Sequence, residues 1–480
     1  MVAISPGKHM GRWNTRKRID ADTRSSHDGQ ALPRTLSWPH LIAMGVGAIV
    51  GTGILTLIGI GADKAGPAVL LSFLIAGFVC ACAALAYAEM ASMIPASGSA
   101  YTYSYVVMGE VFAWIIGWSL ILEYSLVVSA VAVSWSGYAA PLLNGWAGAP
   151  MALMQAPHAG GIANLPALFV IALVAAMLIA GTRKSAGLTM ILVAVKLSAL
   201  AVFVWFALPH FNTANLEPFS PYGFARNMGA DGVERGVMAA AAIIFSAFYG
   251  FDAIATAAEE TRNPRRDLAI GIIGSMFACA AIYTIIALAA LGATPFTRFA
   301  NSPEPLALIL REINQPGAAR FLAVTAVITL PTVIMAFFYG QSRIFFVMAR
   351  DGLLPHGLSR VSKGGRPIRI TLFTVAIVGA ISLFLPLDEI VALANAGSLV
   401  AFTAVAVCML IMRRRAPDAP RGFRTPLAWV IGPIAIAGCV YLLASLPQKT
   451  HLWFLFWNLA GIAVYLAYGR RHSLAGKPPA

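Results

Sequence analysis

Charge is scarce in this sequence. Only 11% of its 480 residues are Asp, Glu, Lys or Arg, against about 25% in an ordinary soluble domain, and 59% are hydrophobic, which together exclude an ordinary water-soluble globule. Cysteine is scarce too. Cys80, Cys82, Cys279, Cys408 and Cys439 all fall inside apolar stretches, where a thiol is a small packing residue, and no spacing suggests a disulfide framework or a zinc site. Cys80 and Cys82 stand two apart on a predicted helix and so point away from one another. Catalytic signatures are missing: there is no H-E-x-x-H, no G-x-S-x-G and no pair of intramembrane aspartates. His40, His158, His210, His356 and His451 sit at segment ends or in loops. An enzyme is therefore not expected, and neither a cofactor nor a metal. Residues 1–34 lack the apolar core of a secretory signal, and residues 1–35 read as a disordered cytosolic tail.

From Leu36 onward apolar runs are nearly continuous. A membrane-spanning helix needs about 20 such residues, and breaks at Pro, Gly and charge clusters divide the chain into twelve segments. They cover approximately 37–61, 67–93, 104–139, 163–182, 186–209, 236–261, 267–292, 319–349, 369–386, 389–412, 427–447 and 451–469. The boundary between segments 9 and 10 rests on Pro386-Leu387-Asp388 alone. Such a chain reads as an all-α integral membrane protein of 12 transmembrane helices with no room for a large soluble domain. Its expected parts are a first five-helix repeat over 36–209, a second over 236–412, two additional helices over 427–469 and a cytosolic C-terminal tail over 470–480.

Lys and Arg number 34 against 20 acids, a net charge of +14. Sidedness accounts for this better than nucleic acid binding, since basic loops stay in the cytoplasm. With a cytosolic N-terminus, 26 of the 34 basic residues fall on the inner side and seven in outer loops, Lys196 alone lying within a segment. Both termini are thus expected in the cytoplasm of a multi-pass protein of the cell membrane, with anionic lipids as neighbours. No nucleic acid and no obligate protein partner is indicated.

Two segments resist an ideal helix. Segment 1 carries G-A-I-V-G-T-G at residues 47–53, and each interior glycine costs up to about 1 kcal/mol relative to Ala. Close packing through small residues and unwinding at mid-membrane both explain such a run. Segment 6, five segments later, places I-I-F-S-A-F-Y-G-F-D at residues 243–252. Interrupted helices at corresponding positions of two halves point to an inverted-repeat secondary transporter. The second half of segment 1 would begin near Gly51, Thr52 and Gly53 and offer N–H groups to a carboxylate. The first half of segment 6 would end near Ala247 and Phe248 and offer carbonyls to an ammonium. Together these fit the two charged ends of an α-amino acid.

Glu123, Lys196 and Asp252 lie deep in segments 3, 5 and 6, and each costs about 2.5–3.5 kcal/mol at mid-membrane unless it is partnered. A Lys–acid pair that pins helices is one explanation. A proton site is the other, because desolvation can bring such a group into the working range. Tyr124, Ser129, Ser134 and Ser136 read as helix glue. The stretch from Glu259 to Asp267, with Arg343, Arg350 and Asp351, reads as charge-balanced loop ends, with a gate as the alternative.

G-V-G-A-I-V-G-T-G-I (45–54), Y-A-E-M-A-S-M-I-P-A-S-G-S-A-Y-T-Y-S-Y (87–105), G-W-S-L-I-L-E-Y (117–124), G-F-D-A-I-A-T-A-A-E-E-T-R-N-P-R-R-D-L (250–268) and G-Q-S-R-I-F-F-V-M-A-R-D-G-L-L-P (340–355) resemble the amino acid–polyamine–organocation transporters. Within them the chain is similar to the cationic amino acid transporter branch and its bacterial relatives. The resemblance runs from about Leu36 to Tyr468 and implies a LeuT-like 5+5 inverted repeat plus two C-terminal helices, with helices 1 and 6 interrupted, working by alternating access. It implies substrate-binding positions at Ile49, Gly51, Thr52, Gly53, Phe245, Ser246, Ala247, Phe248 and Asp252. Lys196 matches a segment 5 lysine that replaces the ion of sodium-coupled relatives, and Glu123 an acid on the coupling path. Two residues depart from the pattern. Ser246 stands where the resemblance places an aromatic lid, and Phe245, Phe248 and Tyr249 are candidates to compensate. Ser119 stands where many relatives carry an acid.

The first reading is a secondary active, proton-coupled amino acid symporter, with H+ as coupling ion and the substrate side chain directed toward segments 3, 6 and 8. An exchanger of cationic amino acids or polyamines is the alternative, with Asp252 and Glu123 reading the substrate. A membrane amino acid sensor is a third reading, against which the short termini weigh.

Overall fold

The computed structural model describes residues 35–96, 98–147, 150–180, 186–229, 231–355 and 368–474. The expected tail at 1–34, the end of the chain from 475, and loop residues such as Arg183, Lys184 and Arg366 lie outside the described residues.

Each of the twelve apolar segments is helical. Among the described residues, nine helical stretches are long and apolar enough to cross a membrane, and Leu165–Ala180, Thr371–Phe384 and Ala428–Ala444 are apolar but shorter. Segment 3 is the central helix, packed along segments 8 and 10, while segment 7 runs along segments 1 and 2. Burial sorts the layers: 94% of the segment 6 window is buried but only 17% of that of segment 12, so segment 6 lies inside and segment 12 at the rim. The boundary at Pro386 holds. Pro386 is extended, and the helix Leu387–Arg415 that follows has Asp388 and Glu389 in its first turn and Arg413, Arg414 and Arg415 in its last, each sign favouring its end of the helix dipole.

Two features depart from the sequence reading. Segment 3 does not begin at residue 104, because Gly109 takes φ +105, a conformation open to glycine and costly for other residues. The chain instead forms a separate helix, Ser99–Val107, buried at every residue, before the long helix Glu110–Ala147 starts. The fold is also not purely helical. Between segments 5 and 6, Asn227–Met228 pairs antiparallel with Glu234–Arg235. This hairpin leans on the end of segment 1, where Arg235 Nε donates to the Asp63 carbonyl at 3.3 Å and Lys64 Nζ to that of Glu234 at 3.3 Å.

Polar locks tie helix ends together. Buried Glu89 of segment 2 accepts two bonds from Arg413, both at 2.7 Å, one from Arg421 at 3.0 Å and one from the Thr425 N–H at 2.8 Å. At the same end of the molecule Glu110 accepts from the hydroxyls of Tyr105, Tyr465 and Ser473. Segment 12 is fastened to segment 3 by indoles: Trp118 donates to the Trp457 carbonyl at 2.9 Å and Trp457 returns the bond at 3.0 Å.

Candidate functional site

Segment 1 is broken twice. Its first helix, Trp38–Ile49, stops at an extended Val50. A four-residue turn, Thr52–Leu55, follows Gly51, and the helix restarts as Leu57–Ala65 after Thr56. The freed carbonyls are taken up by side chains from three other segments. Lys196 Nζ donates to Gly47 at 3.1 Å and to Val50 at 2.5 Å, Tyr283 Oη to Ile49 at 2.7 Å, and Tyr138 Oη to Leu55 at 2.6 Å. The ammonium thus sits at the C-terminal end of a helix, where the dipole and the orphan carbonyls both favour a cation.

Segment 6 is interrupted as expected, but its α-helix Val237–Ile244 ends earlier than the sequence suggested and tightens to a 3₁₀ turn over Phe245–Ala247. It resumes at Asp252–Thr256. Asn395 from segment 10 caps the first half by donating to the carbonyls of Ala242 at 2.7 Å and Ile243 at 3.1 Å, and Ser246 Oγ also donates to Ile243 at 2.8 Å.

The two breaks interlock. Gly250 has φ +118, and a Cβ there would stand 3.0 Å from the Ala48 carbonyl carbon and 3.1 Å from the Ile49 nitrogen. A Cβ on Gly53 would overlap the Ala247 backbone. Glycine is thus required at both positions by contact, and at Gly250 by conformation as well.

Beside this junction lies a cavity of about 30 Å³, room for about two waters. Backbone-rich residues of segment 1 form one wall: Ala48, Ile49, Gly51, Thr52 and Gly53, with Leu57 beyond. Ser246 and Tyr249 of segment 6 close a second side. The remaining wall is aliphatic and aromatic, made of Val127, Ala130 and Val131 from segment 3, Val333 and Phe337 from segment 8, and Val391 from segment 10. The Thr52 hydroxyl is buried with no protein partner. Among the lining residues none is charged.

Of the expected site residues, Ile49, Gly51, Thr52, Gly53 and Ser246 come together round this cavity. Ala247 lies directly behind Gly53. Phe245 packs on Phe402 and Tyr249, and Phe248 on Phe73 and Tyr283, both away from the lining. Tyr249 is the one compensating aromatic of the three that reaches the cavity. Asp252 holds the break instead: its Oδ1 accepts from the Gly250 N–H at 3.0 Å and its Oδ2 from Tyr124 Oη at 2.6 Å. Glu123 is fully buried one turn from Val127, and neither of its oxygens has a hydrogen-bond partner. The bonds of Lys196 given above run to segment 1 carbonyls, and those of Asp252 to Gly250 and Tyr124. Ser119 faces Asn458 of segment 12 at 3.5 Å, so the missing acid there does not concern the cavity wall.

Two of the three serines do act between helices: Ser129 donates to the Val378 carbonyl and Ser136 to Asn164. Of the loop-end charges, Glu260 is bonded to Arg343 and Tyr339, and Arg343 also donates to the Thr256 carbonyl at 2.7 Å. Sequence reading missed Val127, Ala130, Val131, Val333, Phe337 and Val391, because an aliphatic residue in an apolar helix carries no mark of what it lines. Among the described residues no His, Cys, Asp and Glu group could hold a metal ion.

Comparison with known proteins agrees with this architecture. The family model described as amino acid permease matches residues 36–467. The chain is 40% identical to the branched-chain amino acid permease BcaP of Bacillus subtilis (strain 168), over 95% of this chain and 98% of that protein. It is 37% identical to the methylthioribose transporter of the same organism, over 93% and 96% of the two chains. Cationic amino acid transporter 2, vacuolar, of Arabidopsis thaliana is 36% identical over 84% of this chain and 63% of its own length. With a family model covering nearly the whole apolar region and relatives aligned end to end, the chain belongs to the amino acid permease family of the amino acid–polyamine–organocation superfamily and is a multi-pass membrane transporter.

Proposed function

We propose that this protein is a proton-coupled symporter of neutral, aliphatic α-amino acids, working by alternating access between twelve transmembrane helices arranged as a 5+5 inverted repeat with two further helices. It would lie in the cell membrane with both termini in the cytoplasm. One observation carries the reading: two interrupted helices meet beside a single cavity, one wall of which is backbone and the other apolar. The broken turn at Gly51, Thr52 and Gly53 supplies N–H groups without helical partners and the Thr52 hydroxyl for the substrate carboxylate. The turn of segment 6 supplies carbonyls for its ammonium. The aliphatic face then receives the side chain, and the lack of an acidic residue in the lining disfavours a cationic one. The name of the Bacillus subtilis branched-chain relative supports the same class.

A cavity of about 30 Å³ is too small for an amino acid, so loading requires the lining helices to part. Proton coupling then needs a group whose protonation is worth different amounts in the two states. Lys196 fits that need, because its bonds to Gly47 and Val50 hold the first half of segment 1 in the arrangement described here. The test is uptake by purified protein in liposomes, scanning labelled leucine, lysine and phenylalanine against an imposed proton gradient, a sodium gradient or internal amino acid. Leucine accumulation that follows the proton gradient supports symport. Uptake that requires internal amino acid means exchange, and a preference for lysine overturns the neutral side-chain reading.

A further inference from the structure

One cluster of buried polar groups plays no part in the site above. Glu123, one turn from the cavity wall, has no hydrogen-bond partner on either oxygen, and the same is true of the buried hydroxyls of Tyr87, Tyr103, Ser99, Thr102 and Ser104. Serine and threonine can turn to their own backbone. A glutamate and two tyrosines have no such outlet, and each buried polar group left unmade costs about 1–3 kcal/mol. Packing does not explain the hydroxyls either. The Tyr87 ring sits edge-on against Tyr103, Phe251 and Phe402, with centroids 6.1, 5.6 and 5.3 Å away, a setting that phenylalanine would fill equally well.

These groups are placed in sequence between the site and one end of the molecule. Glu123 is thirteen residues from the start of its helix at Glu110, about 20 Å at 1.5 Å per residue. Tyr87 is six residues from the end of its helix at Met93, about 9 Å by the same rise. Tyr87 is in electrostatic reach of Glu123, Asp252 and Tyr103, and its hydroxyl faces that of Ser99. Ser99 and Tyr103 belong to the fully buried helix Ser99–Val107, which packs against segment 3, segment 10 and the second half of segment 6. Ser99 takes φ +50, a strained conformation for serine that tends to persist where function demands it. The titratable groups facing this tract are Asp252 and Tyr249 from segment 6 and Tyr124 from segment 3, while segment 10 presents the Ser398 hydroxyl.

We propose that Tyr87, Tyr103 and Ser99 hold a short file of waters that carries protons between Glu123 and the end of the molecule bearing Glu110 and Arg413, which the charge bias assigns to the cytoplasm. Each hydroxyl takes a proton from the water on one side and releases its own to the other, so one proton moves and no bond changes in net. The proposal rests on the proton-coupled reading and adds a route to it.

The test compares wild type with the double variant Tyr87→Phe, Tyr103→Phe in liposomes, using labelled leucine. Because Tyr87 loses at most a contact with the Ser99 hydroxyl and the Tyr103 hydroxyl is unpartnered, the variant should fold and melt close to wild type. Proton-driven accumulation should fall by about tenfold or more, less than the ~100-fold of a lost general acid because water can stand in for a hydroxyl. Exchange of external for internal leucine, which needs no net proton, should stay within about twofold of wild type. Unchanged accumulation overturns the route, and so does a parallel loss of accumulation and exchange. A wild type that never responds to the gradient instead overturns the coupling itself, and the route with it.

Discussion

Lys196→Met separates coupling from stability. Lys196 is 2% exposed, and its ammonium donates to the carbonyls of Gly47 and Val50 at 3.1 and 2.5 Å. Methionine fills a similar volume without charge, so two terms change. Removing a charge from mid-membrane relieves about 2.5–3.5 kcal/mol on insertion scales. Orphaning two buried carbonyls costs about 1–3 kcal/mol each. The terms largely offset, and a net change between a gain of about 1.5 and a loss of about 3.5 kcal/mol is expected, leaving a folded protein. Ile49 and Leu55 stay tied to Tyr283 and Tyr138, so the break itself should survive.

Transport should respond differently. A proton drives accumulation only through a difference in its affinity between the two states, and the variant has no group at this position to bind one. In liposomes, Lys196→Met is expected to exchange external for internal leucine yet fail to accumulate it against a pH gradient, at every external pH from 5 to 8. Full accumulation beside normal exchange would refute the reasoning and remove Lys196 from coupling. Loss of both activities in a protein that melts far below wild type would show that the carbonyl bonds are worth more than the charge costs.

Four further outcomes follow from named contacts. Ser246→Phe places a ring in the small cavity beside Tyr249 and Val333 and should narrow the substrate range; undiminished competition by bulky amino acids against leucine uptake refutes this. Val333→Ala enlarges the apolar wall and should let phenylalanine compete with leucine, and a competition profile identical to wild type would count against that wall as the side-chain seat. Glu89→Gln leaves Arg421, whose side chain is fully buried, beside a neutral amide, so a loss of about 3–5 kcal/mol is expected, read as a lowered melting temperature; a melting temperature equal to wild type refutes it. In the hairpin between segments 5 and 6, Arg235 hydrogen-bonds Asp231 and holds its carboxyl below the usual carboxylate range. A depressed folded value means stability that is fully present above about pH 4 and lost as pH falls below that to and through the lower folded value. Amide protection over 227–235 should therefore drop in that window in wild type and not in Asp231→Asn, and equal behaviour of the two would refute the assignment.

What the sequence disclosed and what it hid divide along a physical line. Spans were legible because lipid demands long apolar runs, and the breaks at Gly51 and Gly250 because a helix fails only where special residues let it. The second break at Thr56 uses an ordinary residue and left no such trace, and the separate helix Ser99–Val107 turns on Gly109, a lone glycine that the reading passed over. Partners were the least legible. Lys196 announced itself as a buried charge, but its acceptors are carbonyls of Gly47 and Val50, groups that every residue carries. Asp252 announced itself in the same way and was expected near the substrate; its oxygens instead go to the Gly250 N–H and Tyr124, so it maintains the break that shapes the site. The cavity wall was invisible for the opposite reason, since Val127, Val333 and Val391 differ in nothing but position from valines that face lipid. A buried charge in an apolar helix thus marks that something must be satisfied there. Only the fold says whether the group it satisfies is a substrate, a proton or the protein itself, and here Lys196 turns to backbone carbonyls at one helix break while Asp252 turns to a backbone N–H and the Tyr124 hydroxyl at the other.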